Sequence, residues 1–153
     1  MNIFASSPCP VQSAIVLDNA RVIKMILEST QMLNMAAVHF TNLSNGYKPT
    51  HRNHPCTKWV CENPNHFYWL LRHARALAKE YHKRYNKQHK CEQYFEFFQF
   101  VSDTIGVTGE PTYFVNCTAN HKHIANVHEA YIACLEEKWA KDKNPSWKIK
   151  ANC

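Results

Sequence analysis

Apolar positions recur at three- and four-residue spacing through most of the chain, the repeat of helices that bury one face. The series Phe67, Leu70, Leu71, Ala74, Leu77, Ala78, Tyr81 and Tyr85 predicts a helix over about 65–87. A longer element is expected upstream. Ser7 and Pro8 suit a cap and a first turn, and the pattern continues to about Phe40 with a break around Asp18 and Asn19. Tyr94, Phe95, Phe97, Phe98 and Val101 predict a helix over about 90–105, and Val127, Ala130, Tyr131, Cys134, Leu135 and Trp139 another over about 126–141. The stretch N-L-S-N-G-Y-K-P-T-H-R-N-H-P-C reads as loop, as does G-V-T-G-E-P-T-Y-F-V-N-C with room for a short extended piece. The expectation is an all-α fold, a compact single-domain helical bundle with long irregular loops. One domain should span 1–153, with 144–153 a flexible basic and aromatic tail.

Composition narrows the function. At 153 residues, 45% hydrophobic and 20% charged, the chain can bury a core without staples. Gly46, Gly106 and Gly109 are its only glycines, so no glycine-rich phosphate loop or dinucleotide fingerprint can be written, and P-loop NTPases, kinases and Rossmann dehydrogenases are excluded. Nothing calls for a cofactor. Asp18, Arg21, Lys24 and Glu28 interrupt the most hydrophobic helix, so no run approaches the roughly 18 apolar residues of a membrane span. Seven cysteines without a C-x-x-C pair, behind an amino terminus unlike a signal peptide, suggest a reducing, cytoplasmic setting with mostly free thiols.

The net charge of +6 is concentrated: ten basic residues against two acids lie between Lys48 and Lys90. Arg72, Arg75, Lys79 and Lys83 follow one helical line, a ridge about 16 Å long at about 1.5 Å per residue. Such a ridge can track a phosphate backbone; it can equally be a solvated face. Arg21, Lys24, Glu28 and Gln31 form a second line on an otherwise apolar helix. It is either an internal ion-pair row or the wall of a polar site, with Glu28 as general base or stabiliser of a cation and Arg21 and Lys24 as phosphate ligands. In T-H-R-N-H-P-C-T-K-W-V-C, the residues His51, His54, Cys56 and Cys61 could hold zinc, although the spacing fits no closed structural pattern. A loop presenting His51, Arg52, His54 and Lys58 beside a stacking Trp59 to a nucleic-acid strand is the stronger reading.

The segments M-N-I-F, R-V-I-K-M-I-L-E-S-T-Q-M-L, T-H-R-N-H-P-C-T-K-W, F-Y-W-L-L and E-Y-H-K-R-Y-N-K-Q-H resemble a group of small proteins of tailed bacteriophages. The layout is also similar to the phage pyrimidine-dimer DNA glycosylase/AP lyase family. The features that match are Glu28 on its helix, N-H-P-C with His54 before H-F-Y-W-L-L, a basic helix ending K-R-Y-N, and L-E-E-K-W-A-K-D-K-N-P-S-W-K near the carboxyl end. The resemblance implies a helical DNA-processing enzyme with a base-excision site, acting on an extruded nucleotide in the cytoplasm of an infected bacterium. Glu28 would stabilise the sugar cation, Arg21 and Lys24 would hold phosphates, and Trp147 with Lys148 would contact the duplex. The family uses an α-amine freed by removal of the initiator methionine, whereas Asn2 here should leave Met1 in place. The imine former is then the Met1 amine or a desolvated Lys24 ε-amine, unless Glu28 activates water instead. DNA is the expected partner of a monomer. Two other classes stay open: a non-catalytic phage protein binding nucleic acid or a host factor, and a small zinc-binding regulator.

Overall fold

The computed structural model describes residues 1–149; residues 150–153, the end of the expected tail, lie outside the described residues. Six α-helices follow in order: α1 Pro10–Ile15, α2 Asn19–Thr41, α3 Pro55–Glu62, α4 Pro64–Tyr85, α5 Phe95–Thr104 and α6 Val127–Lys141, with a 3-10 turn at Lys90–Tyr94. No strand occurs among the described residues, so the fold is all-α, and residues 106–117 run as irregular loop.

The break in the first long element falls where a capping residue requires it. The Asp18 carboxylate accepts the Arg21 N–H and starts α2 afresh after α1 closes at Val16. Asn42 and Asn86 end α2 and α4 in the left-handed region, with φ 59° and 54°, a conformation asparagine tolerates well. The loop expected over 42–56 gives way at Pro55 to a helix that proline-rich composition concealed. His54 caps α3 through Nδ1 and Asn63 caps α4, each with proline next in the first turn. Proline lacks the N–H that a first turn leaves unpaired, so here it begins helices.

The long helices α2 and α4 form the central pair; α1 lies across α4, α3 touches both, and α5 packs on both. Their shared core contains Val22, Ile26, Met32 and Leu33 from α2 and Phe67, Leu70, Leu71, Ala74 and Leu77 from α4. Arg84 is buried at the end of α4 and serves as a clamp. Its guanidinium donates to the carbonyls of Ile15 and Leu17 and to Asn19 Oδ1, satisfying groups left open at the α1–α2 junction.

The amino-terminal residues Ile3, Phe4 and Ala5 are buried in the same core. Phe4 adopts φ 40° in a turn held by Asn2 Oδ1, which accepts the Phe4 N–H, and its ring meets Tyr131 of α6 edge-on. His128 Nδ1 bonds the Ala5 carbonyl from α6 as well. These contacts lead the start of the chain to the flank of α2. At the other end, Asn19 bonds Ser146 and Lys148, Trp147 donates to the Val16 carbonyl, and Trp139 donates to Asp18.

Candidate active site

Where the amino terminus meets α2, the Met1 ammonium nitrogen lies 3.2 Å from Glu28 Oε1. The Met1 side chain is almost wholly buried and that of Glu28 nearly so. Glu28 Oε2 is buried and has no hydrogen-bond partner among the described residues. The pair forms part of the wall of a cleft of about 280 Å³, shared with Arg21, Lys24, Cys117, Asn120, His121 and Lys138. Four sequence-selected groups, Met1, Arg21, Lys24 and Glu28, therefore line one cavity.

The line of polar residues on α2 divides by environment. Lys24 is exposed at the cleft edge, so the desolvation invoked for a reactive ε-amine is absent: the apolar neighbours Ile23 and Leu27 are themselves partly exposed on that side. Arg21 is committed to two carboxylates, Asp18 at 3.1 Å and Asp142 at 2.7 Å, which oppose the phosphate role expected for it. Burial alone would raise the Asp18 pKa, but hydrogen bonds from Trp139 and Arg21 and the Arg21 charge outweigh it and hold the carboxyl below its ordinary value. Arg21 thus ties α2 to the end of α6.

The far wall of the cleft comes from residues the sequence reading did not select. His121 Nε2 lies 2.6 Å from Glu137, which also accepts from Asn120 and Lys141. These hydrogen bonds, Asn120 and His121 foremost, bring the Glu137 carboxyl down to about 2. Sixteen residues separate His121 from Glu137, so no local spacing signals their pairing.

The α3 segment is split among three environments. His54 is partly buried, and desolvation first, then the Met1 ammonium and His51, lower its pKa against the opposing pull of Glu28; the cap bond leaves its neutral ring proton on Nε2. Trp59 is fully buried, stacked on His66 at 4.4 Å, with its indole N–H on the Tyr113 carbonyl. The expected stacking platform is thus a core anchor, because α3 turns this face inward. His51, Arg52 and Lys58 are exposed. Arg52 and Lys58 line a separate, more open groove with Cys61. The proposed ligand set of His51, His54, Cys56 and Cys61 does not come together; His54 and Cys56 are joined instead by Cys117, which forms a disulfide with Cys56. Cys9, Cys61, Cys91 and Cys134 are free.

On α4, Arg75, Lys79 and Lys83 are exposed and Arg72 half-buried, in one row beside Val11 and Ile15 of α1. Arg72 pairs with Glu110 at 3.1 Å and stacks over Tyr68, and Arg75 reaches Gln99. Lys79 and Lys83 are the open end of the ridge. Trp147 is partly exposed and packs edge-on against Trp139, with exposed Lys148 next to it.

Among the described residues, no helix is long and apolar enough to cross a membrane. Comparison with curated proteins gives no match, and neither does comparison with solved structures. Residues 1–93, which carry Met1, Glu28, His54 and the α4 ridge, match the family model for pyrimidine dimer DNA glycosylase, and the chain belongs to this DNA-processing family.

Proposed function

We propose that this protein is a DNA glycosylase with AP-lyase chemistry, in which the Met1 α-amine is the nucleophile and Glu28 the carboxylate that stabilises the cationic sugar. The observation that carries the reading is the 3.2 Å approach of the chain's first nitrogen to a buried carboxylate in the wall of a cleft. Both groups lie within the residues that match the family.

The chemistry follows from the two groups. An extruded nucleotide presents C1′ to the cleft; the amine, once unprotonated, forms the N–C1′ bond as the C1′–base bond breaks, and the base leaves after gaining a proton. Ring opening then gives a protonated imine, a cation within reach of Glu28. Loss of a proton from C2′ expels the 3′ phosphate by β-elimination, and water finally releases the sugar from the amine. An α-amine suits the first step, since α-amines are less basic than lysine side chains as a class. The exposed Lys24 and the half-buried Lys138 supply positive charge at the cleft for flanking phosphates. Lys79 and Lys83 on α4, with Trp147 and Lys148, are the candidate duplex contacts.

Borohydride trapping on duplex DNA with a single abasic site tests this reading. The wild type should yield a covalent adduct, and acetylation of the amino terminus should abolish it while retaining DNA binding. Binding without trapping would leave either a glycosylase that activates water through Glu28 or a protein that binds without catalysis.

A further inference from the structure

His54, Cys56 and Cys117 bring one ring nitrogen and two sulfurs to within 4.8 Å of one another, although Cys117 lies 61 residues beyond Cys56. The placement is built from several directions. His54 and Cys56 share the first turn of α3, whose start is fixed by the bond from the Cys56 N–H to His54 Nδ1. Cys117 is set by Tyr131 of α6, whose hydroxyl accepts the Cys117 N–H and donates to the Val115 carbonyl. Cys56 is fully buried, whereas Cys117 also lines the cleft that contains Met1 and Glu28.

We propose that, with the Cys56–Cys117 bridge reduced, these three residues bind a divalent metal ion of the zinc class at the edge of the cleft. Two thiolates and a neutral imidazole are ligands suited to zinc, and the two thiolate charges cancel that of the ion, which lowers the cost of placing it in a partly buried site. With the ring proton on Nε2, the Nδ1 lone pair is the one available to the metal, in place of the Cys56 N–H. Three protein ligands leave one tetrahedral position open, the arrangement of sites that bind water or a substrate atom. Cys117 makes the open side continuous with the cleft.

Loading begins with reduction. A trialkylphosphine takes up an oxygen atom from water as the S–S bond becomes two thiols, and the metal then displaces the two thiol protons. The test uses the full chain reduced in this way, freed of chelator, and titrated with Co²⁺ as a spectroscopic substitute for Zn²⁺. The expected result is a thiolate-to-cobalt charge-transfer band with intense tetrahedral visible bands, saturating at about one ion per chain and bleached by Zn²⁺. Cys117→Ser should lower the charge-transfer intensity by about half and weaken binding roughly tenfold or more. Cys61→Ser should leave both unchanged, because Cys61 lines the other groove. The wild-type spectrum reads thiolate ligation directly, so the test stands even if the Cys117 variant folds poorly. No charge-transfer band in the reduced wild type, a band undiminished in Cys117→Ser, or a bridge that resists reduction would each overturn the proposal. The readout contains no DNA, so its outcome is separate from that of the trapping experiment.

Discussion

Glu28→Gln is the most informative single change, because it removes charge while nearly preserving shape. In the resting protein Oε1 is 3.2 Å from the Met1 nitrogen. In the proposed mechanism the carbon that becomes attached to that nitrogen lies one bond of about 1.5 Å farther on, which would set the developing cation roughly 4 Å from the carboxylate. Opposite unit charges at that distance interact by about 4 kcal/mol at an effective dielectric of about 20, equivalent to about three orders of magnitude in rate. The amide retains a dipole and can still accept from the Met1 amine, so the expected loss in base excision is about 10²- to 10³-fold. DNA affinity should hold or rise slightly, since the substitution removes a negative charge beside an anionic ligand. The assay is single-turnover excision on a duplex with one lesion, with binding measured in parallel at fixed salt. Excision by the variant within threefold of wild type would refute the assignment of Glu28. A fall in binding equal to the fall in rate would refute the electrostatic argument specifically, since on that argument the carboxylate favours the sugar cation formed during reaction and not the bound anionic DNA.

Four further outcomes are expected. Lys79→Ala and Lys83→Ala should each reduce the slope of log affinity against log salt by about 0.9, whereas Arg72→Ala should change it less because Arg72 pairs with Glu110; salt titrations of binding check this. Trp59→Ala should cost about 3–5 kcal/mol in denaturant unfolding and leave the affinity of the folded protein for DNA unchanged, because its ring is wholly buried. Acid should weaken the fold through His73, whose pKa burial lowers to about 4: the unfolded state binds the proton first, so the contribution present above about 6.5 is lost as pH falls towards 4, by about 3 kcal/mol in all. Urea unfolding across that range should show a shallower slope in His73→Gln. Glu137 has the same sign in a lower window, its contribution being complete above the ordinary carboxylate range and lost as pH falls towards 2; Glu137→Gln should flatten stability below about pH 4.5.

Much of the helical plan was written in apolar spacing. The α4 and α6 stripes and the Asp18 break were legible because each depends on residues within a few positions of one another. What escaped depended on distant partners or on reading a residue in the wrong position of an element. Pro55 lies in a stretch whose composition reads as loop, yet the His54 cap makes it a first-turn residue, as Asn63 does for Pro64. Trp59 looked like a stacking surface because basic neighbours surround it in sequence; only the packing of His66 and Trp69 reveals which way it faces. Glu28 was found from its helical line alone, yet its contact with Met1 requires the turn at Phe4, which no periodicity encodes. Cys117 could not be joined to His54 and Cys56 by spacing, since an irregular segment and Tyr131 bring it there.

In the proposed mechanism the amino terminus links the fold to the chemistry. A chain start is ordinarily frayed and charged, and burying it needs both apolar neighbours and a counter-charge. Here Ile3, Phe4 and Ala5 enter the core and bring Met1 with them, Asn2 holds the turn, and Glu28 meets the ammonium. Removing Glu28's charge therefore leaves a nearly buried ammonium without its partner, while removing the Asn2 amide frees the turn that aims it. Asn2→Ala should separate these roles: the carboxylate stays in place, but the amine samples more positions, so trapping slows while DNA affinity holds. If Asn2→Ala traps as fast as wild type, the anchoring of residues 3–5 alone positions the nucleophile, and the Asn2 hydrogen bond serves only the backbone of Phe4.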